Sequence, residues 1–130
     1  MSDHHNIPQK NRTYSDSFKY AFIGIRTVFK EERNMRTHVL IGVVTILISL
    51  ILGLSRVEWI LILLSVFLVL VMEIWNTVIE NIVDLVTGKQ FHPIAKKAKD
   101  MAAAAVLLTA FFSLVMAGFI FIPKLLLLIP

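Results

Sequence analysis

Apolar residues along this chain fall into three long runs, each bounded by charge. Nineteen residues without an acid, lysine or arginine lie between Arg36 and Arg56. Fourteen more run from Trp59 to Met72, and the apolar character continues, with polar interruptions, to Val86. A third run of twenty-three uncharged residues extends from Met101 to Pro123. A helix needs about 20 mostly apolar residues to cross a bilayer, so the pattern predicts three membrane spans, at about 35–55, 57–86 and 95–123.

Upstream of the first span the spacing changes. Phe18, Ala21, Phe22, Ile25, Val28 and Phe29 recur at helical intervals, while Lys19, Arg26, Thr27, Lys30 and Arg33 fall largely off that face. This predicts a basic amphipathic helix over about 15–32, capped by Ser15 or Ser17, with Asp16 at the positive end of its dipole. Such a helix next to a membrane boundary lies in the interface. Residues 1–14 are polar and aperiodic and read as a flexible tail, leaving 15–130 as one membrane domain. The expected class is an all-α membrane protein. The first apolar run starts too far into the chain, behind a charged helix, to resemble a cleavable signal peptide.

Composition agrees: 57% of residues are hydrophobic, 17% are charged, and the mean hydropathy is +0.77. With no cysteine, disulfides, thiolate metal sites and a thiol nucleophile are excluded. A net charge of +4 would suggest nucleic acid in a soluble protein, but here topology accounts for it. Eleven lysines and arginines precede the first span or lie between the second and third, against Arg56 and Lys124 on the other side. The positive-inside rule then places the N-terminus and the second loop in the cytoplasm of a multi-pass protein of a cell membrane.

The second span carries Glu73, Asn76, Glu80 and Asp84 at intervals of three, four and four. On a helix these lie within about 80° of arc. For a span starting near Glu58, they descend from about 22 Å deep at Glu73 to about 33 Å at Glu80 and about 39 Å at Asp84. Glu73 therefore falls inside the hydrocarbon, where a charged residue costs about 2.5–3.5 kcal/mol, and Glu80 near the interface. Lys96, Lys99 and Asp100 share a face at the start of the third span, and Glu32, Asn34 and Arg36 mark the start of the first. Three segments thus bring polar groups to one depth.

Three explanations fit this stripe equally: buried ion pairs that fix helix register, a proton or ion relay of the kind intramembrane carboxylates supply, or a divalent cation held with phosphates. His38 and His92 have no ligand spacing to another group and read as ordinary polar residues. No GxxxxGK[ST] or GxGxxG sequence is present.

The residues EIWNTVIENIVD (73–84) and AKKAKDMAAAAV (95–106), with SFKYAFIGIR (17–26) and FKEERNMRTH (29–38), resemble the prokaryotic diacylglycerol kinases over Ser17 to Pro123. F-K-x-E-x-N-x-R-x-H and the His92-Pro93 pair are more similar to the Gram-positive undecaprenol kinase branch. The resemblance implies a homotrimer of three-span subunits, each with a surface helix, whose neighbours share active sites at the cytoplasmic interface. It implies transfer of the γ-phosphoryl of ATP, with Mg²⁺, to the hydroxyl of undecaprenol. Diacylglycerol is the alternative acceptor, and a carboxylate-based ion or proton transporter is a more distant one.

By the same resemblance Glu73 is the general base, with Asn76, Lys99 and Asp100 also in the catalytic set. Glu32 and Glu80 hold the cation, and with Tyr20, Lys99 and Asp100 they bind the nucleotide. Arg26 and Arg36 contact lipid or phosphate, and Asn34 and Asp84 support the site. The depths suit these roles, since a base for a lipid alcohol belongs deeper than the ligands of a nucleotide-bound ion. The chain departs from the family pattern at Ala102–Ala105, in the bulk of Trp75 and Val78, and in the extension LLLLIP.

Overall fold

The computed structural model describes residues 13–128, which form four helices: α1 (Tyr14–Glu31), α2 (Arg33–Leu52), α3 (Arg56–Thr87) and α4 (Pro93–Leu126). Among these residues there is no strand. The last three helices are long and apolar enough to cross a membrane. Most of the tail assigned to 1–14 lies outside the described residues, as do Ile129 and Pro130.

Helix α1 starts one residue before the expected segment. Its cap is Thr13, not Ser15 or Ser17; the Thr13 hydroxyl accepts from the Asp16 amide. A single extended residue, Glu32 (φ −98°, ψ 118°), separates α1 from α2. Neither proline nor glycine makes this elbow. Arg36 stabilises it by reaching back to donate to the carbonyls of Phe29 (3.2 Å) and Lys30 (2.7 Å). These belong to the last turn of α1, where carbonyls lack helical partners and the dipole favours a cation.

The other turns have local causes. Gly53, in the left-handed region (φ 61°), ends α2. Ser55 and Glu58 then form a reciprocal capping box that opens α3. Gly88 and Lys89 end α3 with positive φ, and Pro93 occupies the first turn of α4 behind the His92 cap.

Helix α3 packs chiefly on α4, less on α2. The α3–α4 pair is tied at both ends: Lys99 pairs with Asp84, and Lys124 with Glu58 at 3.2 Å. Glu58 and Asp84 are twenty-six residues apart and Lys99 and Lys124 twenty-five, rises of about 39 Å and about 38 Å. The two helices are therefore antiparallel and in register over more than a bilayer core. Small residues bring α2 onto α3. Ser49 and Ser65 are buried and return their hydroxyls to the Thr45 and Leu61 carbonyls at 2.8 Å. At Gly42 a Cβ would stand 2.9 Å from Val66 Cγ1.

Gly42→Leu is therefore expected to force α2 off α3, and overpacking of this kind costs about 1–3 kcal/mol. A lowered thermal midpoint of the detergent-solubilised protein is the expected result. Gly24→Ala is the control, because nothing lies within 4 Å of its added Cβ.

Candidate active site

The polar stripe of α3 faces the other helices, and its burial falls along its length. Glu73 and Asn76 are buried, whereas Glu80 and Asp84 are half-buried. The Glu73 side chain is only 2% exposed, and its Oε2 has no hydrogen-bond partner. Asn76 donates through Nδ2 to Glu80 Oε1 (3.3 Å), leaving its buried Oδ1 unpartnered as well. Unsatisfied buried oxygens are rare and costly. Two on adjacent turns of one face mark a place built to meet something else.

They lie beside a partly open chamber of about 190 Å³ between three helices. Asn34 and His38 of α2 and Glu73 and Asn76 of α3 form its polar side. Ala103, Val106, Leu107 and Ala110 of α4 form the other. An apolar groove of about 360 Å³ continues from it, sharing His38, Leu107 and Ala110, and runs past Ile41, Thr45, Val69 and Phe111. A larger hollow of about 480 Å³ under the α3–α4 turn has no acid in its lining, which includes Val86, Phe91 and Ile94.

Glu80 is one turn beyond Asn76 and accepts from its amide, and Glu32 forms the elbow two residues before Asn34 of the chamber. Glu32, Asn34, Glu73, Asn76 and Glu80 are thus gathered in one region. The remaining candidates stand elsewhere in the single chain. Lys99 is held by Asp84 across the α3–α4 contact, and Asp100 is exposed and pairs with Lys96 on its own helix. Arg36 is occupied by the α1 carbonyls, and Tyr20 and Arg26 are exposed on α1.

Two histidines that read as ordinary polar residues in the sequence have defined places. His92 Nδ1 accepts from the Ile94 amide at 3.2 Å and caps α4; the following proline is the signal for it. His38 places Nε2 3.8 Å from Glu73 Oε2. Its spacing of four from Asn34, which puts both on one face of α2, is the signal there.

The donor set suits a hard divalent cation, for which carboxylate oxygens are the usual protein ligands. Among the described residues no three His, Asp or Glu side chains cluster as a complete metal cage. Two carboxylates beside unpartnered oxygens fit an ion that takes its remaining ligands from a phosphate-bearing substrate.

Comparison with known proteins identifies the family. The sequence profile described as prokaryotic diacylglycerol kinase matches residues 19–121. The diacylglycerol kinase of Synechocystis sp. is 39% identical over 110 residues, 85% of this chain and 63% of that protein, so the chain spans less than two thirds of that relative. The undecaprenol kinase of Bacillus subtilis is 39% identical over 123 residues, 95% of this chain and 97% of that one. A diacylglycerol kinase of Helicobacter pylori is 39% identical over 115 residues, 86% and 88% of the two chains.

Proposed function

The chain belongs to the prokaryotic diacylglycerol kinase family, a lipid kinase family, and on that premise we propose that it transfers the γ-phosphoryl of ATP to the hydroxyl of undecaprenol. The observation that carries the proposal is the Glu73 carboxylate, buried and unpartnered at the junction of a polar chamber and an apolar groove. A lipid lying in the groove would bring its terminal hydroxyl to that oxygen.

The lipid oxygen attacks the γ-phosphorus in line, its proton passes to the Glu73 carboxylate, and the bond to the bridging β–γ oxygen breaks to release ADP. Catalysis of this type is mainly positioning and neutralisation of charge. Asn76 donates to Glu80 through its amide, and Glu80 and Glu32 would face the nucleotide. These two carboxylates would hold Mg²⁺, which when bound neutralises the β- and γ-phosphate oxygens. Lys99 and Asp100, near the same level on α4, and Tyr20 on α1 would contact the nucleotide. Arg26 and Arg36 would lie near lipid headgroup or phosphate, and Asn34 and Asp84 would support the walls.

Topology follows the charge distribution, with the N-terminus, the elbow and the α3–α4 turn in the cytoplasm. Phe18, Phe22, Ile25 and Phe29 are all exposed on α1. With Lys19, Arg26 and Lys30 beside them, this suits a helix lying on the membrane surface. Three copies would form the working unit, each site completed by a neighbour.

Undecaprenol is preferred because the α4 wall of the chamber is Ala103, Val106, Leu107 and Ala110. This wall offers no donor to the ester carbonyls of diacylglycerol, which would have to turn to Asn34 or His38 opposite, whereas a prenol brings only its hydroxyl. The Bacillus undecaprenol kinase also aligns over nearly the full length of both chains. Diacylglycerol is the second reading, favoured by relatives of equal identity that bear that name. Purified protein given each lipid separately with labelled ATP decides between them. The expected result is a kcat/KM for undecaprenol at least about tenfold above that for diacylglycerol, a gap of about 1.4 kcal/mol in transition-state stabilisation. Equal or reversed values would overturn the assignment.

A further inference from the structure

We infer that His38 is a positioning residue for phosphoryl transfer, holding the second oxygen of Glu73 from across the α2–α3 contact so that the carboxylate faces the incoming lipid hydroxyl. The inference rests on Glu73 being the base, and it adds a residue that neither the resemblance nor the relatives' names assign.

The geometry singles out this side chain. Glu73 Oε2 is buried without a hydrogen-bond partner, and His38 Nε2 stands 3.8 Å away, just outside bonding range. Bonds of this kind are often long before substrate binds and shorten in the reacting complex. Of the polar side chains that share the chamber with Glu73, the Asn76 amide is given to Glu80 and Asn34 makes no bond to the carboxylate, whereas His38 brings an N–H group to 3.8 Å. Nearby cations are committed elsewhere: Arg36 to the α1 carbonyls, Lys99 to Asp84. The hydroxyl of Thr77 donates to the Glu73 backbone carbonyl and leaves the carboxylate untouched.

His38 also lines both the chamber and the groove, and its side chain is 21% exposed, so the imidazole stands at the threshold that a lipid hydroxyl crosses to reach Glu73. Without the imidazole N–H, the carboxylate is free to rotate away from the line of attack. A misplacement of about 1 Å can cost roughly 100-fold in rate.

The test compares His38→Leu, which fills the space without a donor, with His38→Gln, whose amide restores one. Both are assayed with undecaprenol and ATP after gel filtration and helical content confirm folding. We expect His38→Leu to lower kcat by roughly 100-fold, with the KM for ATP unchanged, and His38→Gln to recover most of that loss. The inference is overturned if His38→Leu keeps the parent kcat, if its loss lies in the lipid KM alone, or if Leu and Gln are equally impaired in kcat. Glu73→Gln in the same series separates the two levels. An active Glu73→Gln protein removes the base itself, whereas an inactive one beside an unimpaired His38→Leu protein removes only the role of His38.

Discussion

Glu73→Gln should lower kcat by about 10²–10⁴-fold, the usual contribution of a positioned general base, while the protein still folds and runs at the parent size on gel filtration. The substitution keeps volume and shape, so packing around the residue should change little. The amide can still accept a hydrogen bond, but it does not take the proton that leaves the lipid hydroxyl. Because Glu73 Oε2 carries no hydrogen bond and its approach to His38 is 3.8 Å, replacing the carboxylate removes no hydrogen bond from that oxygen. An ion-pair scaffold makes the opposite prediction, since loss of a register-fixing charge would disturb assembly before it disturbed turnover. The measurement is steady-state lipid phosphorylation beside a size profile. A variant with near-parent kcat would remove the assignment of Glu73 as base.

Neutralising Glu32 and Glu80, the carboxylates proposed to hold Mg²⁺, should act differently. Glu80→Gln, and more strongly the Glu32→Gln/Glu80→Gln pair, is expected to raise the Mg²⁺ concentration needed for half-maximal activity by about tenfold or more. At fixed Mg²⁺, turnover should fall by roughly 10²–10³, the scale for losing one preorganised electrostatic contact at a site of developing charge. The KM for the lipid should stay near that of the parent, because neither residue lines the chamber or the groove. In Glu80→Gln the new amide keeps a carbonyl oxygen to which Asn76 can still donate, so the fold of this turn is preserved. An unchanged Mg²⁺ titration in the double variant would show that the ion is held elsewhere.

Sequence periodicity is enough to find the stripe of α3, because four polar residues at intervals of three and four share a helical face whatever packs against them. It also gives the gradient along that face, and the burial of Glu73 and Asn76 relative to Glu80 and Asp84 follows the same direction. The elbow is less legible. No proline or glycine marks Glu32, and the break is stabilised from outside the junction by Arg36, whose guanidinium substitutes for missing helical donors. A residue that the resemblance sets beside lipid or phosphate thus also ends a helix.

Cross-helix partners are beyond the reach of a single-helix projection. Helical rise puts Lys99 and Asp84 at one depth, but their pairing depends on the rotation of α4 about α3, which no single-helix projection contains. His38 escapes notice for the same reason: its partner is thirty-five positions later on another helix, and no spacing rule connects them. Local chemistry, by contrast, is readable wherever its partners are close in sequence. The Ser55–Glu58 capping box and the His92-Pro93 start of α4 are both written within four residues.

Whether a carboxylate inside the membrane serves ATP-dependent chemistry on a lipid alcohol is tested most directly in reconstituted bilayers. The purified protein is given γ-labelled ATP, Mg²⁺ and undecaprenol, and label is followed into the lipid phase. Labelled undecaprenyl phosphate that forms only when both lipid and ATP are present is the predicted result. Bilayers that pass protons or ions without ATP, while no label reaches undecaprenol or diacylglycerol, would contradict it.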